Sequence, residues 1–304
     1  MRVVSLVPAA TDVLCALGPD AAPVGVTDEC RAPEGTPVVV ASVLPAGLSQ
    51  AEIDTVVASR VARGLPLREV RTQLLQLLAP DVVVAQDLCA VCAVGAEDVG
   101  RALEMVGSPA VVHRYDPRRL AELVPAVRAL TAASGLGARG AALADDLQRR
   151  LDDLAAAAGG RPRPRVAVLE WTDPVWSAGH WVPDVVAAAG GVEVLGTAGA
   201  PSARLSRDDV LAARPAVVVV APCGLALAPA VVAAREVASW LPGDVRVLAA
   251  DGTVLTGAGP GLVDVAEALA ALLDAGTADA PVPGSSVVEV RSGGGGSHPG
   301  VTIN

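Results

Sequence analysis

Short valine-rich runs recur along this chain, separated by segments whose apolar residues have helical spacing, and this alternation constrains the fold more than any other feature. The segments Asp81–Ala85 and Ala216–Val220 are continuous valine runs of strand length. Such runs suit strands of a parallel sheet, where helices cover both faces and neither face meets water. Strands alternating with helices also imply parallel pairing through right-handed crossovers.

The alternation appears twice. In the first half, strands are expected at Arg2–Val7, Ala22–Val26, Val38–Val40, Asp81–Ala85 and Ala110–Val112, with helices at Ser49–Arg63, Leu67–Leu78 and Glu97–Met105. Pro8, at the start of a further helix, is pre-set for its first turn. Arg118–Ala133 and Ala138–Ala158 then read as two helices, and Gly159-Gly160 followed by Arg161-Pro-Arg-Pro-Arg165 reads as a helix stop and stiff connector. A second series has strands at Val166–Glu170, Val192–Leu195, Ala216–Val220 and Arg246–Ala249. Its helices are expected at Pro183–Ala189, Arg207–Ala212, Pro229–Ser239 and Gly261–Ala275. The expected fold class is α/β: two Rossmann-like lobes with parallel sheets, joined by a long backbone helix, with a ligand cleft between them. The lobes are assigned to residues 1–116 and 165–275, the helical connector to 117–164, and a disordered Gly/Ser/Pro tail to 276–304.

Charge and composition exclude whole classes. The 304 residues carry 23 Lys+Arg against 33 Asp+Glu, a net charge of −10, with only 2% aromatic residues. That leaves neither the basic patch nor the stacking platform that nucleic acids need. The hydrophobic fraction is 52% and mean hydropathy +0.49, but the longest uncharged stretch, Ala216–Ala234, is interrupted by Pro222, Gly224 and Pro229. A strand, a loop and a helix start explain it better than membrane insertion. The opening MRVVSLVPAATDVLCALG lacks the charge and cleavage pattern of a signal peptide, so a cytoplasmic location is expected.

Ligands of parallel α/β sheets bind beyond the carboxyl ends of strands, and the polar and sulfur residues concentrate there. Thr27-Asp28-Glu29-Cys30, Gln86-Asp87-Leu88-Cys89-Ala90-Val91-Cys92, Glu170–Trp181 and Ala221-Pro222-Cys223-Gly224 all follow expected strands. Cys89 and Cys92 have chelating spacing, and with Cys30 and Cys223 they would complete a four-thiolate site for zinc or an iron–sulfur cluster. Each cysteine has the alternative reading of a small buried hydrophobe, preferred for Cys15. Trp171, Trp176 and Trp181 fall within eleven residues, with His180 between the last two. Large rings in a Pro- and Gly-rich loop suit contact with a flat ligand or packing at the lobe's edge. No GxGxxG, Walker, HExxH or GxSxG motif is present.

The opening Arg2–Thr11 (RVVSLVPAAT), the long central helix and Ala178–Pro183 (AGHWVP) resemble the vitamin B12-binding receptors of ABC importers. These belong to the class III periplasmic binding proteins, or helical-backbone metal receptors. The likeness extends over about residues 1–275 and is greatest to the cobalamin-binding branch, which shares the QDLCxVCA segment at Gln86–Ala93. The resemblance implies two lobes, a rigid connecting helix and a corrinoid or other metal chelate in the cleft. It also implies a transporter permease as partner if the protein is exported, and Trp176 matches a position whose ring packs against the corrin. Gln86 and Ala203 stand where further rings are expected, and Thr253–Gly261 has no aromatic residue or Arg.

Two functions follow, beside a third reading as a degenerate receptor fold used as an interaction module. The first is a binding protein for a cobalamin-like or other metal chelate, with Gln86, Asp87, Glu170, Trp176, His180 and Trp181 as ligand-binding residues. The second is a cytoplasmic metalloprotein or enzyme whose zinc or iron–sulfur cofactor is held by Cys30, Cys89, Cys92 and Cys223.

Overall fold

The computed structural model describes residues 1–88, 95–160, 162–274 and 286–290. In the first lobe, β1 (Val3–Ser5) leads into α1 (Pro8–Ala16), followed by β2 (Gly25–Thr27), β3 (Val38–Ser42), α2 (Gln50–Ala62), β4 (Arg68–Val70), α3 (Thr72–Leu78), β5 (Val82–Ala85), α4 (Ala96–Met105) and β6 (Val111–Arg114). A 3-10 turn at Leu120–Glu122 opens α5 (Leu123–Ala133), and α6 (Gly137–Ala157) returns against it. The second lobe contains β7 (Arg165–Thr172), β8 (Val175–Ser177), α7 (Val182–Ala188), β9 (Val192–Glu193), α8 (Arg207–Ala212), β10 (Val217–Val220), α9 (Leu227–Trp240), β11 (Arg246–Ala250), α10 (Gly252–Leu255), α11 (Gly261–Asp274) and β12 (Val287–Val290).

Two sheets result. The first has the order β4-β3-β2-β1-β5-β6, the second β12-β11-β10-β7-β8, with β9 pairing the start of β7. Pairing is parallel except at the margins, where β4, β8 and β12 run antiparallel to their neighbours. The valine runs β5 and β10 are completely buried in the middle of their sheets, as strands covered on both faces must be.

The connector carries the core from one lobe to the other. Val127 and Leu130 of α5 and Ala144 and Leu147 of α6 are buried in one apolar cluster with Val3 and Val82 of the first sheet and Val166 and Val217 of the second. At 1.5 Å per residue, the 21 residues of α6 give a rod of about 32 Å. Its approach to α5 is close, because a Cβ on Gly140 would stand 1.9 Å from Thr131 Oγ1. Arg150 of α6 pairs with Asp264 and Glu267 of α11, tying the rod to the second lobe.

Three segments depart from the sequence reading. Leu67–Leu78 is not one helix: Arg68–Val70 pair antiparallel with Ser42–Val40, and only Thr72–Leu78 is helical. A ladder with a distant strand outweighs local helical spacing there. Val175–Ser177, expected as loop, folds back on β7 as a hairpin strand. Val287–Val290, expected within a disordered tail, forms the edge strand β12 on β11.

Candidate functional site

The carboxyl ends of both sheets converge on a cleft between the lobes, with a cavity of about 330 Å³. That is at the small end of the roughly 300–1,000 Å³ usual for ligand pockets. Val7 and Pro8, just after β1, Leu88 after β5 and Pro117 after β6 supply apolar wall, and the buried Trp181 also borders it.

Several of these walls are fixed by hydrogen bonds between segments distant in sequence. The phenol of Tyr115, which follows β6, donates to the carbonyl of Ala258 in the second lobe at 2.6 Å. Complete burial, with a smaller contribution from the charge of Asp12, pushes the Tyr115 pKa well up, so the phenol remains a donor. Trp181 Nε1 donates to the Leu255 carbonyl at 2.9 Å. At the cleft edge, Gln50 Oε1 accepts from the Thr172 backbone N–H at 2.8 Å and from its hydroxyl at 3.1 Å, while Trp171 Nε1 donates to the Gln50 carbonyl. Arg31 spans the same gap, pairing with Asp12 at 2.6 Å and donating to Thr253 Oγ1.

Acidic groups occupy the first-lobe side. Asp28 and Glu29 follow β2 and line the cavity, and Arg68, its side chain only 7% exposed, ion-pairs with both. Asp28 also accepts from the Ser42 N–H at 2.7 Å and from the Thr27 hydroxyl at 3.0 Å, so backbone and side chain together hold it in place.

The residues singled out in the sequence are distributed unevenly around this cleft. Gln86, Trp181 and Cys223 line it. Trp176 does not: the β8 hairpin sets it opposite Trp171 and against Arg204. His180 is half-buried beside Trp181, their ring centroids 5.8 Å apart, but it is not part of the wall. Burial, then the nearby Arg118 charge, lower its pKa and keep the imidazole neutral. Asp87 accepts from the Ala96 N–H at 2.8 Å and pairs with Arg114 at 2.9 Å, so it holds the chain at the start of α4. These partners, the Ala96 N–H foremost, hold its carboxyl below the usual range. Glu170 is half-buried and its carbonyl accepts from the Cys223 N–H.

The cysteines do not assemble among the described residues. Cys30 Sγ lies 3.0 Å from Thr11 Oγ1, and burial pushes its thiol up to about 11. Cys223 accepts a hydrogen bond from the Thr256 hydroxyl at 3.3 Å. Cys89 and Cys92 lie outside the described residues. No three His, Cys, Asp or Glu side chains form a metal-holding group among the described residues. Ser5 and Thr11 are buried and hydrogen-bonded to each other at 2.9 Å, and neither caps α1.

Tyr115 and Pro117 are cleft residues that the sequence reading missed, while Thr253, Thr256 and Ala258 belong to the loop Thr253–Gly261 noted there for lacking an aromatic residue or Arg. One signal was present: Tyr115 is the chain's only tyrosine and follows directly on a strand.

The comparisons agree with this architecture. A family model described as periplasmic binding protein matches residues 3–242. Among solved structures, the apo form of the periplasmic heme-binding protein RhuT from Roseiflexus sp. RS-1 is 23% identical over 91% of this chain and 99% of its own, with a TM-score of 0.66. The periplasmic vitamin B12-binding protein BtuF of Vibrio cholerae is 20% identical over 90% and 97%, with a TM-score of 0.64. A periplasmic heme-binding protein from Pseudomonas aeruginosa is 21% identical over 96% and 99%, with a TM-score of 0.65. No curated protein matches the sequence. The expected cytoplasmic location is overturned, because the family and these neighbours are periplasmic and therefore extracytoplasmic. No helix among the described residues is long and apolar enough to cross a membrane. Two mainly parallel sheets, a connecting helical pair and a cleft at the strand ends, together with the family match over most of the length, place this chain in the periplasmic binding protein family.

Proposed function

We propose that this protein captures a metal chelate of tetrapyrrole type, a corrinoid or a heme-like compound, in the cleft between its lobes and presents it to an ABC-type permease. The observation that carries the reading is the cleft itself. It lies at the carboxyl ends of both sheets and combines an apolar wall with the Trp181 ring, which suits a flat, largely apolar ligand. The heme- and vitamin B12-binding functions of the structural neighbours support the same ligand class. The protein contributes shape, exclusion of water and hydrogen bonds, and no covalent step is required of it. Because the cavity is small, accommodating a macrocycle with substituents requires the cleft-edge contacts of Gln50 and Arg31 to yield.

Titration of the purified protein with dicyanocobinamide, cyanocobalamin and hemin, followed by visible absorbance, tests this. Saturable one-to-one binding of at least one chelate, with quenching of tryptophan fluorescence that is weakened in Trp181→Phe, is the expected result. No binding of any of the three would overturn it.

A further inference from the structure

We infer that the cleft selects its ligand by the charge of the ligand's rim, taking a metal chelate edged with amides or other hydrogen-bond donors and rejecting one edged with carboxylates, with Glu29 as the main discriminating residue. The inference rests on the chelate-binding reading and narrows it.

Few charged side chains reach the cavity. Asp28 and Glu29 are the only charged residues lining it among those described, and no Arg or His joins them. Residues 89–94, which continue from the lining Leu88, are Cys-Ala-Val-Cys-Ala-Val and carry no charged side chain. Among the described residues Arg68 is the cation paired with both acids, so the trio retains a negative charge. Next to lining residues, Asp12 and Asp251 share Arg31, which donates to Thr253, while Asp116 and Arg118 contribute one charge of each sign on either side of Pro117. Asp12 and Glu29 also add, after burial, to the rise of the Cys30 pKa, as expected within a negative field.

The two acids differ in what they have left to offer. Asp28 uses one oxygen on the Ser42 N–H and the other on Thr27 and Arg68. Glu29 gives Oε1 to Arg68, and its Oε2 accepts no hydrogen bond from the described residues. With its side chain 44% exposed at the cavity wall, Glu29 has an oxygen available to accept from a ligand N–H or O–H. A ligand carboxylate at the same place would meet a like charge, with Arg68 already engaged. Such juxtaposition discriminates by repelling the wrong ligand as much as by attracting the right one.

The test compares three probes on the same protein: dicyanocobinamide, whose corrin rim carries amides; hemin, with two carboxylates; and the bis-amide of hemin, which keeps the porphyrin and removes the charge. The expected result is binding of hemin bis-amide at least about tenfold tighter than hemin, since one tenfold step is within reach of a single like-charge contact. Glu29→Gln narrows that gap, and Glu29→Lys inverts it while thermal melting shows the variants folded. Hemin binding as tightly as its bis-amide, or a gap unmoved in both variants, would overturn the inference and leave the chelate-binding reading standing. If none of the three probes binds, the inference fails, and the chelate-binding reading fails with it only if cyanocobalamin is not bound either. Dicyanocobinamide binding alone, with its affinity reduced by Glu29→Lys, supports the rim selection, and the same affinity in Glu29→Lys overturns it.

Discussion

The Tyr115 hydroxyl reaches across from the first lobe to the Ala258 carbonyl of the second at 2.6 Å, and both residues are buried. This bond joins the end of β6 to the loop before α11 at the wall of the cleft. Tyr115→Phe keeps the ring and its packing but leaves a buried carbonyl without its donor. The expected cost is about 1–3 kcal/mol, read from denaturant unfolding. An unchanged midpoint would show that the loop relaxes enough to find another donor.

Gln50 holds the opposite edge of the cleft. In α2 none of the residues is buried, so the helix depends on contacts such as that of Gln50 with Thr172. Gln50→Ala removes the acceptor of the Thr172 amide, and exchange of that amide with deuterium should accelerate by at least about tenfold as the edge opens locally. Equal protection in the two proteins would mean the edge is held elsewhere.

Glu193 makes stability depend on pH. Burial raises its carboxyl from the ordinary 4.5 to about 7, although the N–H groups of Gly196, Leu195 and Val194 pull it down. Between these two values the folded state holds a proton that the unfolded state has released. Stability contributed by this group is therefore full below pH 4.5 and is lost as pH rises through 7. The loss is on the order of 3 kcal/mol above pH 7. Glu193→Gln should flatten that part of the profile and raise the melting temperature at pH 8. A profile identical to that of the parent protein would remove Glu193 as its source.

Gly140 sets the distance between α5 and α6. An added methyl meets Thr131 at its Oγ1 and Cβ, both inside van der Waals contact, and Thr131 is itself bonded to the Val127 carbonyl at 2.9 Å. Overpacking of this kind costs about 1–3 kcal/mol. Gly140→Ala should lower the thermal midpoint despite alanine's better helix propensity. A rise would show that the helices separate without penalty.

The parts of this fold that were readable in the sequence are those whose signals are local. The valine runs of β5 and β10 declare buried strands by composition alone, and the loops after strands identify Gln86, Asp28 and Cys223 as neighbours of a cleft. The β4 strand was not readable, because its partner lies 26 residues away, Ser42 against Arg68, and nothing around Leu67 announces it. His180 is expected near the site from the composition of its loop, and Trp176 from that loop and from the resemblance, while neither lines the cavity described above. Their positions depend on a hairpin register and on the turn at His180, whose φ of 50° is unusual for a side-chain-bearing residue. Tyr115 belongs to the cleft through a bond to a residue 143 positions away, which no spacing rule anticipates.

The position of β12 bears on how the molecule is made. Every strand of the first sheet is available by residue 114, whereas β11 has an unpaired edge until Val287–Val290 arrive. In that interval β11 is a row of unpaired backbone groups open to any other strand. Any folding step that precedes the docking of Val287–Val290 thus leaves the second lobe with an open edge, so a chain cut before residue 287 is expected to aggregate more readily than the full protein.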